Sequence, residues 1–414
     1  NENSEKSGNT YMPQNMFIEN VSNLLGLNKE DNDTKFKDVL DNLLLDKVII
    51  SFYKHPYNIV MLTKYYFLET SVAQKLALLN MSSRSSNLNV EDEISQFEKI
   101  NKIEFDSDQK RAIINSVNCG VSLITGGPGT GKTTIIKCIM TILRQHQNKI
   151  MLLAPTGRAA KRLSESTNEQ AKTIHRGLEV DFRGDKGVFV HNETNPLDVD
   201  VVIVDEVSMV DILLMNSLIK ALNRDCKLIL VGDKDQLPSV GAGNVLDDIL
   251  KSGIISVSYL TKIFRQSENS LIVSNAHLIN DGKMPVLDNS SSDFFFDQKT
   301  ELQDIKNTIV EMVTKRIPKF KNLDVSKIQV LAPLKAGICG IESLNQNLQN
   351  ILNPPSVMKV EIIIGSSVFR EGDKVMQMSN NYDLRWIKKD GYYSEAGAGV
   401  FNGDIGYILK IDRN

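Results

Sequence analysis

The chain has 414 residues, of which 41% are hydrophobic and 24% charged, the balance of a soluble globular protein with room for two to four domains and large cores. A formal net charge of −3 excludes any global attraction to nucleic acid, so such binding has to come from local patches. Cys119, Cys138, Cys226 and Cys339 form no C-x-x-C pair and read as reduced thiols of a cytoplasmic protein, and no apolar stretch has the length of a signal core or a membrane span.

Residues 1–14 are polar and read as disordered. From Met16 to Asn80 the apolar spacing is mostly helical, which predicts a helical accessory domain over 1–93, with a winged hairpin as an option near Val48-Ile49-Ile50-Ser51-Phe52. Met81 to Val90 is rich in Ser and Asn and reads as a linker. Over 94–262 the near-continuous apolar runs Val121–Thr125, Ile150–Ala154, Val201–Asp205 and Lys227–Gly232 alternate with helical stretches, the pattern of a parallel sheet covered on both faces. That pattern breaks at 179–191, where Glu179-Val180-Asp181-Phe182-Arg183 and Val188-Phe189-Val190-His191 flank Gly184-Asp185-Lys186-Gly187, a hairpin signature. A further unit over 263–358 carries helices near Ser270–Asp281 and Leu302–Arg316 and a strand at Ile328–Ala332. The segment 359–414 is strand-rich, with turns at Glu371-Gly372-Asp373 and Asn402-Gly403-Asp404.

The run Gly126-Gly127-Pro128-Gly129-Thr130-Gly131-Lys132-Thr133 fits G-x-x-x-x-G-K-[ST], and it sits between a predicted strand and a predicted helix. Glycines at these positions let backbone N–H groups turn inward around phosphate oxygens, and the helix N-terminus adds partial positive charge. Gly127, Pro128, Gly129, Thr130, Gly131, Lys132, Thr133 and Thr134 are the expected nucleotide-binding residues. Lys132 would reach the β- and γ-phosphates and Thr133 would place its hydroxyl on Mg²⁺. Val201-Val202-Ile203-Val204-Asp205-Glu206 suits a neighbouring strand ending in two acids, Asp205 for Mg²⁺ and Glu206 for polarising the attacking water. In Gly232-Asp233-Lys234-Asp235-Gln236, the neutral Gln236 could hydrogen-bond the γ-phosphate or the attacking water, and Asp233 reads as coupling loop or third carboxylate. Arg265 lies where one unit gives way to the next and suits a guanidinium delivered across a cleft to the transferring phosphoryl group. The N-K-x-D element of guanine-specific proteins is missing, since Asn101-Lys102-Ile103-Glu104 precedes the loop and lacks the Asp.

In the order of these motifs the chain resembles the RecD-like DNA helicases of superfamily 1, from about Ile94 to Tyr407. Phe105-Asp106-Ser107-Asp108-Gln109-Lys110 is similar to the Q motif, and Ala154-Pro155-Thr156-Gly157-Arg158-Ala159-Ala160 to motif Ia, followed by Thr173-Ile174-His175-Arg176. Asp205-Glu206-Val207-Ser208-Met209 resembles motif II, Gly232 to Gly243 motif III, and Phe264-Arg265-Gln266 falls in motif IV. Val330-Leu331-Ala332-Pro333-Leu334-Lys335, Gly372-Asp373-Lys374-Val375-Met376-Gln377 and Val400-Phe401-Asn402-Gly403-Asp404 narrow the likeness to RecD-like proteins.

The resemblance implies an α/β architecture of two RecA-like P-loop domains with parallel sheets, the second incomplete, plus the start of a small β-barrel insertion over 359–414. ATP with Mg²⁺ would lie in the cleft and single-stranded DNA across the top. It implies that Gln109 reads the adenine, that Thr156, Arg158, His175 and Pro333 lie near the DNA, and that the 179–191 hairpin meets the duplex fork. The implied activity is ATP-dependent 5′ to 3′ movement in repair or recombination, with other repair subunits as partners and no membrane. The alternatives are an ATP-switched binding module without unwinding and a conjugative-transfer helicase. Two later motifs of the family, with His-Lys-x-Gln-Gly and Ala-x-Ser-Arg cores, do not occur, so the chain reads as a fragment.

Overall fold

A computed structural model describes residues 8–26, 29–81, 89–181, 188–262, 270–378, 381–390, 393–400 and 402–412. The chain divides into two compact units, Asn1–Lys283 and Met284–Asn414.

The first unit begins with strands β1 (Tyr11–Pro13), β2 (Ile49–Lys54) and β3 (Tyr57–Leu62), which form an antiparallel sheet in the order β1-β3-β2. The region read as mostly helical therefore carries a sheet, and the optional hairpin is present as β2–β3, paired from Ile49↔Leu62 to Lys54↔Tyr57. The helix Thr63–Met81 buries Tyr65, Val72, Leu76 and Leu79, a 3.6-residue spacing. These side chains join the same apolar cluster as Leu123, Val204 and Leu230, so this helix shares a core with the central sheet. The helix Val90–Asn101 runs through the 93/94 boundary read from the sequence.

The central sheet comprises β4 (Val121–Gly126), β5 (Ile150–Ala154) and β6 (Ala171–Thr173). After the short pair β7 (Val180–Asp181) and β8 (Val188–Phe189) it continues with β9 (Val201–Val204), β10 (Lys227–Gly232) and β11 (Ser256–Leu260). Its order is β11-β4-β10-β9-β5-β6, with every pair parallel. The four strands expected from apolar runs are present. The edge strands β6 and β11 were not expected, and their Ser, Thr and Lys content explains why. The two-residue period of a strand sends Leu123, Val202, Val204, Leu228 and Leu230 to one apolar cluster. Ile124, Val201, Ile203, Ile229 and Val231 go to the other. The hairpin at 179–191 is paired through Val180↔Phe189 and Asp181↔Val188, and its tip, 182–187, lies outside the described residues.

The first unit extends to Lys283 and so includes the helix Leu271–Asn280, beyond the 262/263 boundary read from the sequence.

In the second unit the helix Leu302–Glu311 continues as a π-helical turn, Met312–Arg316, into Ile317–Lys321, and a further helix spans Ile341–Leu352. Ile328–Ala332, expected as a strand, is irregular: it has no strand neighbour among the described residues. Instead, Lys374 Nζ donates to the carbonyls of Ser326 (2.7 Å) and Ile328 (3.1 Å). The strands β12 (Glu361–Ile364), β13 (Ser367–Arg370), β14 (Lys374–Met376), β15 (Asn381–Asp390), β16 (Tyr393–Val400) and β17 (Ile405–Tyr407) pair antiparallel as β12-β13, β14-β17 and β15-β16.

The buried Asp373 ties this unit together. Its carboxylate accepts from Gln349 Nε2 at 2.6 Å, Asn353 Nδ2 at 2.7 Å and the Arg370 backbone N–H at 2.7 Å, while Arg370 donates to the Asn353 carbonyl. Removing a charged acceptor strands several donors, each costing about 1–3 kcal/mol when buried. Asp373→Ala is therefore expected to destabilise Met284–Asn414 by about 3 kcal/mol, seen as an earlier thermal transition; an unchanged melting curve would contradict this role.

Candidate functional site

Strand β4 is buried along its whole length, and at its carboxyl end the chain turns through Gly127–Gly131 into the helix Lys132–Gln145. Gly129 (φ 78°) and Gly131 (φ 83°) take left-handed conformations that side chains resist, which is what their places in the motif demand. The helix is held by Ile135, Ile136, Ile139, Ile142 and Leu143, all essentially solvent-free. Burying each is worth about 1.5–3 kcal/mol, so the loop stands on a rigid base. The loop is also bonded to itself. Thr130 Oγ1 donates to the Gly127 carbonyl at 2.9 Å, and Lys132 Nζ donates to that carbonyl at 3.0 Å and to Gly126 O.

Gln109 touches the same loop. Asp106 and Gln109 form a reciprocal capping box at the start of the helix Ser107–Asn118, with Gln109 N–H to Asp106 Oδ1 at 2.8 Å and Asp106 N–H to Gln109 Oε1 at 3.2 Å. The remaining amide then reaches the loop, Nε2 donating to Thr130 O at 3.0 Å. Gln109 thus links its helix to the loop, a position beyond what the motif resemblance implied.

The parallel topology places the ends of β9 and β10 on the same edge as the loop. Asp205 follows β9, and its Oδ1 accepts the Glu206 backbone N–H at 2.9 Å. Glu206 has φ 54°, an uncommon conformation for a residue with a side chain. Asp233, after β10, is buried and accepts the Asp235 N–H at 3.0 Å. Burial pushes the Lys132 ammonium down from its ordinary pKa, while the charges of Asp233, Glu206 and Asp205, in that order, hold it up. Burial, then the Glu206 charge, push the Asp205 carboxyl up to about 6, against the Glu206 N–H, Lys132 and Arg162. One lysine and three carboxylates leave an excess of negative charge, which suits a divalent cation. Among the described residues no group of three His, Cys, Asp or Glu side chains is arranged as a self-sufficient metal site. A cation here would need phosphate oxygens to complete its shell, the usual arrangement for Mg²⁺.

The sequence-predicted flanking residues follow β5 and β6, which are neighbours in the sheet. Thr156 caps the helix Gly157–Thr167, its Oγ1 accepting the Ala159 N–H at 3.2 Å, and Arg158 is exposed on the first turn. His175 opens the helix Ile174–Leu178 with its ring centroid 5.8 Å from that of Phe189 in the hairpin; burial lowers its pKa and Asp211 opposes this. Gln236 is exposed on the loop after β10, where its backbone N–H donates to Asp233 O at 3.3 Å. Pro333 is exposed in the second unit, and Arg265 lies outside the described residues.

Two residues of the site were missed. Arg162, four residues after Arg158, acts electrostatically on both Lys132 and Asp205; a second arginine one helical turn after the first was the available signal. His277 lies against Gly127 from the helix Leu271–Asn280, and nothing local in the sequence marks it.

This strand–loop–helix, with paired acids after β9, defines a P-loop nucleotide-binding fold; β9 is not the immediate neighbour of β4 expected from the sequence, because β10 lies between them. An AAA domain family matches residues 109–242, and the SH3 domain of ATP-dependent RecD-like DNA helicases matches residues 344–414. The chain is 33% identical over 291 residues to the ATP-dependent RecD2 DNA helicase of Deinococcus radiodurans, covering 70% of this chain and 36% of that protein. It is 28% identical over 380 residues to the RecD subunit of the RecBCD enzyme of Buchnera aphidicola, covering 74% and 59%. The Pif1 helicase from Bacteroides in complex with ADP-AlF3 and ssDNA aligns with a TM-score of 0.37 and 18% identity, over 77% of this chain and 70% of that one. The chain is thus similar to RecD-like proteins over most of its length. It spans about a third of the Deinococcus relative and under two thirds of the Buchnera relative. Among the described residues no helix is long and apolar enough to cross a membrane.

The raised pKa of Asp205 has a sign that can be checked. The folded protein binds this proton more tightly than the unfolded chain does. The associated stability is complete below about pH 4 and is lost as the pH rises through about 6. In EDTA, Asp205→Asn is expected to be more stable than the native protein at pH 7.5 by about 3 kcal/mol, with the gain vanishing towards pH 4. A difference that does not vary with pH in urea titrations would contradict a carboxylate whose charged form burial disfavours.

Proposed function

We propose that this chain is the ATP-hydrolysing part of a DNA helicase that moves 5′ to 3′ along single-stranded DNA in repair or recombination. The observation that carries the reading is the convergence of Lys132, Asp205, Glu206 and Asp233 on one sheet edge. The motif Ia residues Thr156 and Arg158 and the loop residue His175 follow strands of that same edge.

In this reading the backbone N–H groups of Gly127 and of Gly129 to Thr134 cradle the phosphates, and Lys132 exchanges its loop carbonyls for β- and γ-phosphate oxygens. Thr133 and Asp205 hold Mg²⁺, whose contribution is to neutralise charge on the phosphates. Glu206 orients and polarises the attacking water, the role for which its outlying backbone holds it. Gln109 keeps its implied place beside the adenine, with one amide hydrogen and one lone pair still unassigned by its bonds to Asp106 and Thr130. Gln236 senses the terminal phosphate from the β10 loop, and Arg265 completes the charge stabilisation from across the cleft.

Thr156, Arg158 and His175 face the DNA backbone, and Pro333 of the second unit is a separate DNA contact. Hydroxyls and cations of this kind fix register on phosphates without reading sequence. The hairpin 179–191 meets the fork, and the SH3 segment belongs to an insertion in the second domain. A cytoplasmic location and assembly with other repair proteins belong to the same proposal; the Buchnera relative is itself named as an enzyme subunit.

The test is steady-state ATP hydrolysis by the full-length protein with and without single-stranded DNA, alongside unwinding of duplexes with 5′ or 3′ tails. DNA is expected to stimulate turnover, Lys132→Ala to reduce it by about 100-fold or more, and only 5′-tailed duplexes to be opened. No stimulation, or unchanged turnover in Lys132→Ala, would overturn the proposal.

A further inference from the structure

The helix Leu271–Asn280 brings an imidazole directly onto the phosphate loop. A Cβ built on Gly127 would stand 3.0 Å from His277 Cε1 and 3.5 Å from His277 Nε2, so any larger residue there would press on the ring and shift it. Nε2 is buried and has no hydrogen-bond partner among the described residues. A buried ring nitrogen left unpaired is unfavourable, and native proteins rarely keep one without a use for it.

The location narrows that use. The Gly127 carbonyl accepts from both Lys132 Nζ and Thr130 Oγ1. Lys132 is the residue that serves the β- and γ-phosphates in loops of this kind, whereas the helix N-terminus and the glycine-rich amides cradle the inner ones. Its ammonium ends at Gly126 and Gly127, so the start of the loop marks the outer end of the triphosphate track. His277 stands at that end. It comes from an element separate in sequence from the strand, loop and helix that make the P-loop.

We propose that His277 is a further nucleotide-binding residue, its Nε2–H donating a hydrogen bond to the terminal phosphate of a bound nucleoside triphosphate. The neutral imidazole does this in the tautomer that carries its proton on Nε2. The helix Leu271–Asn280 thereby distinguishes triphosphate from diphosphate, a task for which the loop amides alone are poorly suited because they serve the shared phosphates. The inference rests on the nucleotide-site reading given above and adds a residue and a specificity to it.

Calorimetric titration of the full-length protein with Mg·ATPγS and Mg·ADP tests it, using His277→Leu, which fills the space without a donor, and His277→Gln, which restores an N–H. His277→Leu is expected to weaken ATPγS binding about ten-fold while changing ADP affinity less than about two-fold, and His277→Gln to recover most of the loss. Equal weakening of both nucleotides, or no weakening of either, overturns the proposal. Lys132→Ala runs in parallel: if it also leaves both affinities unchanged, the nucleotide-site reading is what has failed.

Discussion

Every residue of Val121–Gly126 is buried, and alternate side chains of the central strands are committed to opposite apolar clusters. A sheet covered on both faces leaves its strand ends as the one place where polar chemistry reaches solvent. Because all six strands are parallel, their carboxyl ends share one edge. The phosphate loop, Asp205, Glu206, Asp233, Thr156 and His175 are neighbours for that reason alone. No pair of these residues needs to be close in sequence.

The same constraint governs the electrostatics. Lys132 and Asp205 sit where the sheet excludes water, so each is pushed towards its neutral form and each is held partly charged by the other. Asp233 and Glu206 add negative charge that one lysine does not balance. A site built this way suits anionic phosphate beside Lys132 and positive charge beside the carboxylates. The outlying φ of Glu206 fits such a site, where backbone strain persists because the surroundings over-determine it. Gln109 and His277 extend the control outward. One bonds the loop at Thr130 and the other rests on Gly127, so helices on either side of the P-loop feel its conformation.

Much of this was legible because the chemistry is local. The glycine spacing of Gly126–Gly131 encodes backbone angles, and Val201–Val204 is apolar enough to be a buried strand on any reading. What was missed depends on partners distant in sequence. Ala171–Thr173 and Ser256–Leu260 are strands because β5 and β4 offer open edges to pair with. Ile328–Ala332 has the composition of a strand but no such edge, and Lys374 binds the carbonyls of Ser326 and Ile328 instead. Reading 1–14 as polar and disordered and Met16–Asn80 as mostly helical left β1 and β3 unassigned for the same reason, since their pairing supplies what their periodicity does not. His277 sits mid-helix with no flanking motif, and only the fold brings it to Gly127.

The central claim is that a nucleoside triphosphate is gripped at the carboxyl edge of this sheet by the Gly126–Thr133 loop and the acids after β9. Amide hydrogen exchange of the protein with and without Mg·ATPγS addresses it directly, because it reads the loop backbone itself. Protection is expected to appear in 127–134 and around Asp205 and Glu206, and to disappear in Lys132→Ala. Exchange in 127–134 that is unaffected by saturating Mg·ATPγS would contradict the account.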